Sequence, residues 1–192
     1  MIDDLTHIWY AAYGSNLCEQ RFRCYIQGGE FKWGGRKLSR CRNKSLPVAN
    51  KRFLIPHQLY FAKRSPYWQN GGVAFVSPLK ESDENNWTFG RMWKITRDQL
   101  DEVIEKERPG WYDYKVPLGE ENGVPICTIT SRDPIAPHHR PSQGYLKTMA
   151  LGLKETYDLT NEENAKYLMK KCGVRCKFNI TELMEIVEAA IP

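Results

Sequence analysis

The 192-residue sequence contains no run approaching the roughly 18 apolar residues that a membrane-spanning helix needs, so a transmembrane reading falls away. It holds no internal repeat, low-complexity tract or Gly/Ser linker that would divide it, and a single domain over residues 1–192 is the simplest account. The opening Met1-Ile2-Asp3-Asp4 is acidic and lacks an apolar signal stretch with a small-residue cleavage site, so nothing marks it for export and a cytoplasmic location is expected. Paired metal-ligand spacings are also missing. Cys172-Gly173-Val174-Arg175-Cys176 has no second pair, and His138-His139 stands alone in a Pro-rich loop, so no metal is expected. Without an export signal the six cysteines read as reduced thiols, and Cys18 and Cys24 do not share a helix face well enough to form a ligand pair.

What is present suffices for a core: 41% of residues are hydrophobic, including six Trp, ten Tyr and seven Phe. The formal charge is +5, but it is unevenly spread. From Arg21 to Arg64 there are twelve Lys/Arg against one acid, Glu30, so this stretch carries +11 and the remainder −6. Phe22, Tyr25, Phe31, Trp33, Phe53, Tyr60 and Phe61 are interleaved through it. That composition fits a nucleic-acid surface, a cleft that helps to hold an acidic small molecule, or a solvated face with no specific task.

Ile8 to Tyr13 reads as a buried strand, broken by Gly14-Ser15-Asn16, after which Leu17 to Ile26 turns helical and stops at Gly28-Gly29. Such a corner presents backbone N–H groups at a helix N-terminus and binds anions. Gly28 to Asn50 is expected to be loop with a short strand. Arg52 to Lys63, Gly72 to Ser77 and Trp87 to Ile95 read as strands, the first an edge or bulged strand because of Pro56. Thr96-Arg97-Asp98-Gln99 has capping-box spacing and starts a helix through Glu107, closed by Pro109-Gly110. Trp111 to Leu118 and Val124 to Ser131 pair around the Gly119 to Gly123 turn. Helices follow from Ser142 to Tyr157, from Thr160 to near Cys172-Gly173, and from Thr181 to Ala190. Mixed strands with one inserted helix, followed by helices, indicate an α+β fold.

Glu107 is the most informative position. Leu100, Val103, Ile104 and Glu107 follow i, i+3, i+4, i+7, which puts this carboxylate on the apolar stripe. Burial and the helix C-terminus both act to raise its pKa, which is how a carboxylate becomes a general base near neutral pH. The plain alternative is a last-turn glutamate paired with Arg108. The second position is Tyr13-Gly14-Ser15-Asn16-Leu17, where glycine permits close approach and the N–H, Ser and Asn groups offer donors to a carboxylate or a polarised carbonyl.

Tyr13-Gly14-Ser15-Asn16-Leu17, Gly71-Gly72-Val73-Ala74-Phe75, Gly90-Arg91-Met92-Trp93-Lys94-Ile95 leading into the Glu107 helix, and Pro141-Ser142-Gln143-Gly144-Tyr145 followed by Met149 to Glu155 together resemble the γ-glutamylcyclotransferase superfamily, including its ChaC-type members. The resemblance spans about Trp9 to Tyr157. It implies a small mixed β-barrel with flanking helices and a cofactor-free reaction, in which the substrate's own α-amino group attacks its γ-carbonyl to give 5-oxoproline and release the attached amine. On that resemblance Glu107 is the general acid and base, Tyr13, Gly14, Ser15, Asn16 and Leu17 form the loop that grips the substrate carboxylate, and Tyr145 and Tyr112 line the site. Neither a Ser-His-Asp triad nor a metal is required, because the nucleophile belongs to the substrate.

The residue after the catalytic Glu is usually Gly in the family, whereas here it is Arg108-Pro109, and Arg108 is suited to counter the charge of Glu107 or bind a substrate carboxylate. The basic insert at about 21–64 and the helical C-terminal extension at about 160–192 have no obvious counterpart in compact members. The expected partners are a small γ-glutamyl substrate and no membrane, with a homodimer left open. The alternative is a binding module whose basic aromatic segment contacts nucleic acid, the less favoured partner, or an acidic protein. Against a pure binder stands Glu107, which such a module would not need. A further option is a γ-glutamyl transferase or amide hydrolase, for which Cys18 is the only candidate nucleophile.

Overall fold

The computed structural model describes residues 6–34, 36–108 and 110–191, so the Met1 to Asp4 opening and Pro109 lie outside the described residues. Strand β1 (His7–Ala12) leads through a 3₁₀ turn, Ser15–Leu17, into helix α1 (Glu19–Gln27). Then come β2 (Ala49–Ile55), β3 (His57–Ser65), β4 (Gly71–Lys80), β5 (Thr88–Thr96), α2 (Arg97–Lys106), β6 (Tyr114–Glu121) and β7 (Val124–Thr130). Three helices close the chain: α3 (Gln143–Tyr157), α4 (Asn161–Met169) and α5 (Ile180–Glu188). The α+β class is as expected from the order of patterns. Among the described residues, no helix is long and apolar enough to cross a membrane.

Five strands form a mixed sheet in the order β2-β5-β1-β7-β6. Its centre, β1, runs antiparallel to β5 and parallel to β7. Strands β3 and β4 form a separate antiparallel ribbon. Side chains join ribbon to sheet: Thr88 Oγ1 donates to the His57 carbonyl at 2.6 Å, and Thr130 Oγ1 to that of Val76 at 2.5 Å. The two sheets are thereby held against each other.

Three expectations are corrected. Arg52 to Lys63 is not one strand, because at Pro56 the chain leaves β2 in the large sheet and enters β3 in the ribbon. Proline cannot donate to a ladder, so a change of sheet at this position leaves no N–H unpaired. Helix α1 starts at Glu19 with Cys18 as its N-cap, and Leu17 belongs to the preceding 3₁₀ turn. Helix α2 ends at Lys106, and Glu107 is its C-cap in an extended conformation (φ −72°, ψ 165°). Smaller shifts occur elsewhere: β6 begins at Tyr114 rather than Trp111, and α4 ends at Met169 rather than near Cys172. The short strand expected between Gly28 and Asn50 is a single bridge, Gly29 to Leu38, and β2 itself opens at Ala49.

The capping boxes behave as their spacing predicts. Thr96 and Gln99 close one reciprocally at α2, and Thr160 and Glu163 another at α4. Helix α3 presents Leu146, Met149, Ala150 and Leu153 in the i, i+3, i+4, i+7 pattern, all fully buried. Burying each of the larger ones contributes about 1.5–3 kcal/mol. Gly152 lets this helix approach the turn before α1 so closely that a Cβ there would sit 2.4 Å from the Cys18 nitrogen. Helices α4 and α5 add Leu168, Leu183 and Val187 to the same hydrophobic cluster.

Candidate active site

Between the 3₁₀ turn, α1, the ribbon, the end of α2 and α3 lies a cleft of about 710 Å³ of empty space, its open mouth included. Tyr13, Gly14, Ser15, Asn16, Glu107, Tyr112 and Tyr145 all line it. Leu17 does not: it is completely buried in the core, and only its carbonyl acts outward by accepting from Arg91 Nη1 at 3.2 Å. The expectation that Leu17 contacts ligand is therefore corrected, since an apolar side chain at the foot of the turn gains more by packing inward.

Glu107 reaches the cleft because the chain leaves the helix at that residue. Lys106 secures this exit, donating Nζ to the Tyr25 carbonyl at 2.9 Å and to Cys41 Sγ at 2.9 Å. The Glu107 carboxyl is packed around by protein while the residue keeps a half-buried face toward the cleft. Burial raises its pKa above the ordinary carboxylate value, opposed by a hydrogen bond from the Tyr25 hydroxyl and by the charges of Arg21 and Arg36. The alternative, a Glu107–Arg108 ion pair, is not found among the described residues. The Arg108 guanidinium lies instead over Trp111, 4.7 Å from the ring centroid.

Tyr145 differs from Tyr13 and Tyr112. Its oxygen accepts from the Ala74 N–H at 3.1 Å and also from Ser15, which leaves its own proton for the cleft. Burial pushes its pKa up to about 12, so it remains a donor at neutral pH. Tyr13 and Tyr112 have committed their protons, to the carbonyls of Ile129 at 2.7 Å and Ala74 at 2.9 Å. They shape the wall. A Cβ on Gly14 would meet the Tyr145 oxygen at 2.7 Å, so glycine is what allows the turn and this hydroxyl to share the site.

The turn is braced from behind. Trp93 Nε1 donates to the Asn16 carbonyl at 3.0 Å. Arg91, 4% exposed, stacks on Trp93 and bonds Glu155 at 2.7 Å, Glu19 at 3.1 Å and Asn50 at 2.9 Å. Arg91, itself buried, thereby ties β5, α1 and α3 together around the turn through partners that are partly exposed.

Several residues of the cleft were not anticipated, among them Tyr10, Tyr25, Tyr67, Trp68, Arg21 and Arg36. Arg21 is 3% exposed, and its Nε and Nη1 are buried without a hydrogen-bond partner, as is Asn16 Oδ1. The signal for Arg21 lay in the basic stretch itself and in its i, i+4 spacing from Tyr25, over whose ring its guanidinium sits at 5.0 Å. From that stretch, Arg21 and Arg36 line the cleft. Others are spent locally, Arg23 on Glu19, Arg42 on Glu102 and Lys51 on Glu121.

Cys18 is fully buried, does not line the cleft, and has its thiol pushed up to about 11 by burial. That corrects its reading as a nucleophile, which requires an accessible thiolate. His138 and His139 are engaged in pairing with β3, through the His138–Ala62 bridge and the His139 N–H to the Phe61 carbonyl at 2.9 Å. Among the described residues no cluster of three His, Cys, Asp or Glu is placed to hold a metal.

A solved γ-glutamyl cyclotransferase superposes on this chain with a TM-score of 0.59 at 21% identity, covering 95% of this chain and 99% of that one. The fold is that of the γ-glutamyl cyclotransferases. An uncharacterized protein from Homo sapiens shares this cyclotransferase fold, with a TM-score of 0.58, 21% identity and coverage of 94% and 99%. Histone deacetylase 5 of Arabidopsis thaliana is 29% identical over 205 aligned residues, covering 85% of this chain, which spans only 30% of that protein's length. No protein-family model matches the chain.

Proposed function

We propose that the protein is a γ-glutamylcyclotransferase-type enzyme that cyclises a γ-glutamyl amide to 5-oxoproline and releases the attached amine or amino acid. The observation that carries this reading is the meeting, in one cleft, of a buried Glu107 of raised pKa with a Tyr145 hydroxyl whose proton is uncommitted. The fold shared with a γ-glutamyl cyclotransferase supports it.

The substrate arrives with its α-amine protonated. Its head group carries a carboxylate and an ammonium; the positive charge of Arg21, whose Nε and Nη1 lie buried without hydrogen-bond partners in the cleft wall, attracts the first, and Asn16, whose Oδ1 is likewise buried and unpartnered, favours the second. Ser15 and the backbone of Gly14 to Asn16 complete the grip. Glu107 takes a proton from the α-amine, whose nitrogen then attacks the γ-carbonyl to close a five-membered ring. Tyr145 donates to the oxyanion that develops there. As the bond from the γ-carbon to the outgoing nitrogen breaks, Glu107 returns that proton to it; the regenerated carboxylate then takes the second proton from the ring nitrogen and passes it to the released amine, so both protons lost by the α-ammonium end on the amine, which leaves as an ammonium. Holding the chain folded supplies much of the acceleration, since an oriented intramolecular attack replaces a bimolecular encounter.

The test is incubation of the protein with glutathione, γ-glutamyl-alanine and γ-glutamyl amines while 5-oxoproline is followed by mass spectrometry. Wild type is expected to form it. Glu107→Gln is expected to fold and lose turnover by 100-fold or more, in line with removal of a general base, which is worth about 10²–10⁴. Full turnover by this variant would overturn the assignment.

A further inference from the structure

Four cationic side chains line the cleft, Arg21, Arg36, Lys106 and Arg108, against one carboxylate, Glu107. Lys106 is turned away onto Tyr25 and Cys41, and Arg21 lies deep in the wall. Arg36 and Arg108 are partly exposed, and both lie against Tyr67, at 5.6 Å and 5.8 Å from its ring centroid. Tyr67 itself is 43% exposed. Among the described residues neither arginine is joined to a carboxylate by an ion pair, although the charge of Arg36 is felt at Glu107. Arg36 donates only to the Lys106 carbonyl, and Arg108 rests on the faces of Tyr67 and Trp111. An aromatic face holds a guanidinium in place without cancelling its charge, and leaves its N–H edge free for an anion.

The geometry points to Arg36 and Arg108 as specificity-determining residues that select substrates by the negative charge on the leaving amine. This rests on the cyclotransferase reading above. In that reading the α-carboxylate is taken deep in the cleft, so whatever is attached to the γ-carbonyl extends toward the mouth and meets the two arginines. The favoured class is a γ-glutamyl compound whose released amine carries carboxylates, an acidic amino acid above all. Neutral and cationic amines leave both guanidinium groups unanswered.

Three substrates grade the charge: γ-glutamyl-glutamate with two carboxylates on the leaving amine, γ-glutamyl-alanine with one, and γ-glutamyl-ethylamide with none. For wild type, kcat/KM is expected to fall in that order, about tenfold or more from first to last, since a hydrogen bond to a charged group is worth about 1.5–3 kcal/mol. In Arg108→Gln and in the Arg36→Gln/Arg108→Gln double variant, the ratio of kcat/KM for γ-glutamyl-glutamate over γ-glutamyl-ethylamide is expected to drop at least tenfold, chiefly through KM. Added salt should compress the same ratio in wild type. Turnover without ranking, or variants that slow all three substrates equally, would overturn the inference and leave the reaction standing. Calorimetric binding of γ-glutamyl-glutamate and γ-glutamyl-ethylamide is read in parallel. Charge-ranked binding that the variants abolish, with no 5-oxoproline from any compound, would keep the selection and overturn the reaction. Absence of both would overturn both.

Discussion

Glu107 must do two things that oppose each other. In the proposed reaction it has to be ionised to act as a base, and packed around by protein it is penalised for being so, which is why its pKa is raised by burial despite the Tyr25 hydroxyl and the charges of Arg21 and Arg36. The sign of the resulting pH dependence follows. Below the ordinary carboxylate value of about 4.3 both folded and unfolded forms are protonated and the full stability is present. As pH rises past that value the unfolded chain releases its proton first, so stability is lost until the raised folded value has been passed. Glu107→Gln has no such loss. Its melting temperature relative to wild type should therefore climb from acid toward neutral pH and then level off; a constant difference across the range would contradict the raised pKa. Wild-type turnover should run the other way, increasing through the same interval as the base ionises.

At the scale of elements, the site depends on how closely α3 approaches the turn that follows β1. Tyr145 is seven residues before Gly152, on the same side of the helix, and Gly152 faces the Leu17–Cys18 backbone. A methyl at this position meets main chain rather than a movable side chain, so Gly152→Ala should destabilise by about 1–3 kcal/mol through overpacking. Thermal denaturation should show this as a fall of roughly 2–12 °C for a chain of this size. Turnover should decline with it, because Tyr145 and the turn separate together. Local patterns in the chain carried much of this architecture: the two Thr capping boxes, the apolar stripe of α3 and the strand–turn entry at Gly14 could be read from spacing alone. The change of sheet at Pro56 could not, because a proline between two apolar runs looks the same in a bulged strand and in a crossing. Arg21 and Tyr25 escaped for a similar reason. They lie 86 and 82 positions before Glu107, and only the packing of α1 against the end of α2 brings them to it.

Across the whole molecule, the C-terminal helices hold the edge of the large sheet. The one hydroxyl proton of Tyr157 is shared between the carbonyls of Phe53 and Gly90, at 3.0 Å and 2.8 Å, and Phe89 is stacked with both Tyr157 and Tyr167, their centroids 4.6 Å and 4.5 Å away. Tyr167 accepts the Phe89 N–H at 3.1 Å. The far end of the chain is thus fastened to β2 and β5, whose other neighbours carry the cleft. Its six thiols are all unpaired: Cys18, Cys24, Cys41 and Cys127 are buried, Cys172 is intermediate and Cys176 is exposed. The buried four are spread over α1, the loop after it and β7, so no local fraying uncovers them together. Under native conditions an excess of alkylating reagent should modify Cys176 at the rate of a free thiol and Cys172 more slowly. The remaining four should react only as fast as the whole fold opens, and together. Their labelling kinetics, resolved by peptide mass, would make the chain its own clock of global unfolding, with no reporter residue to be engineered.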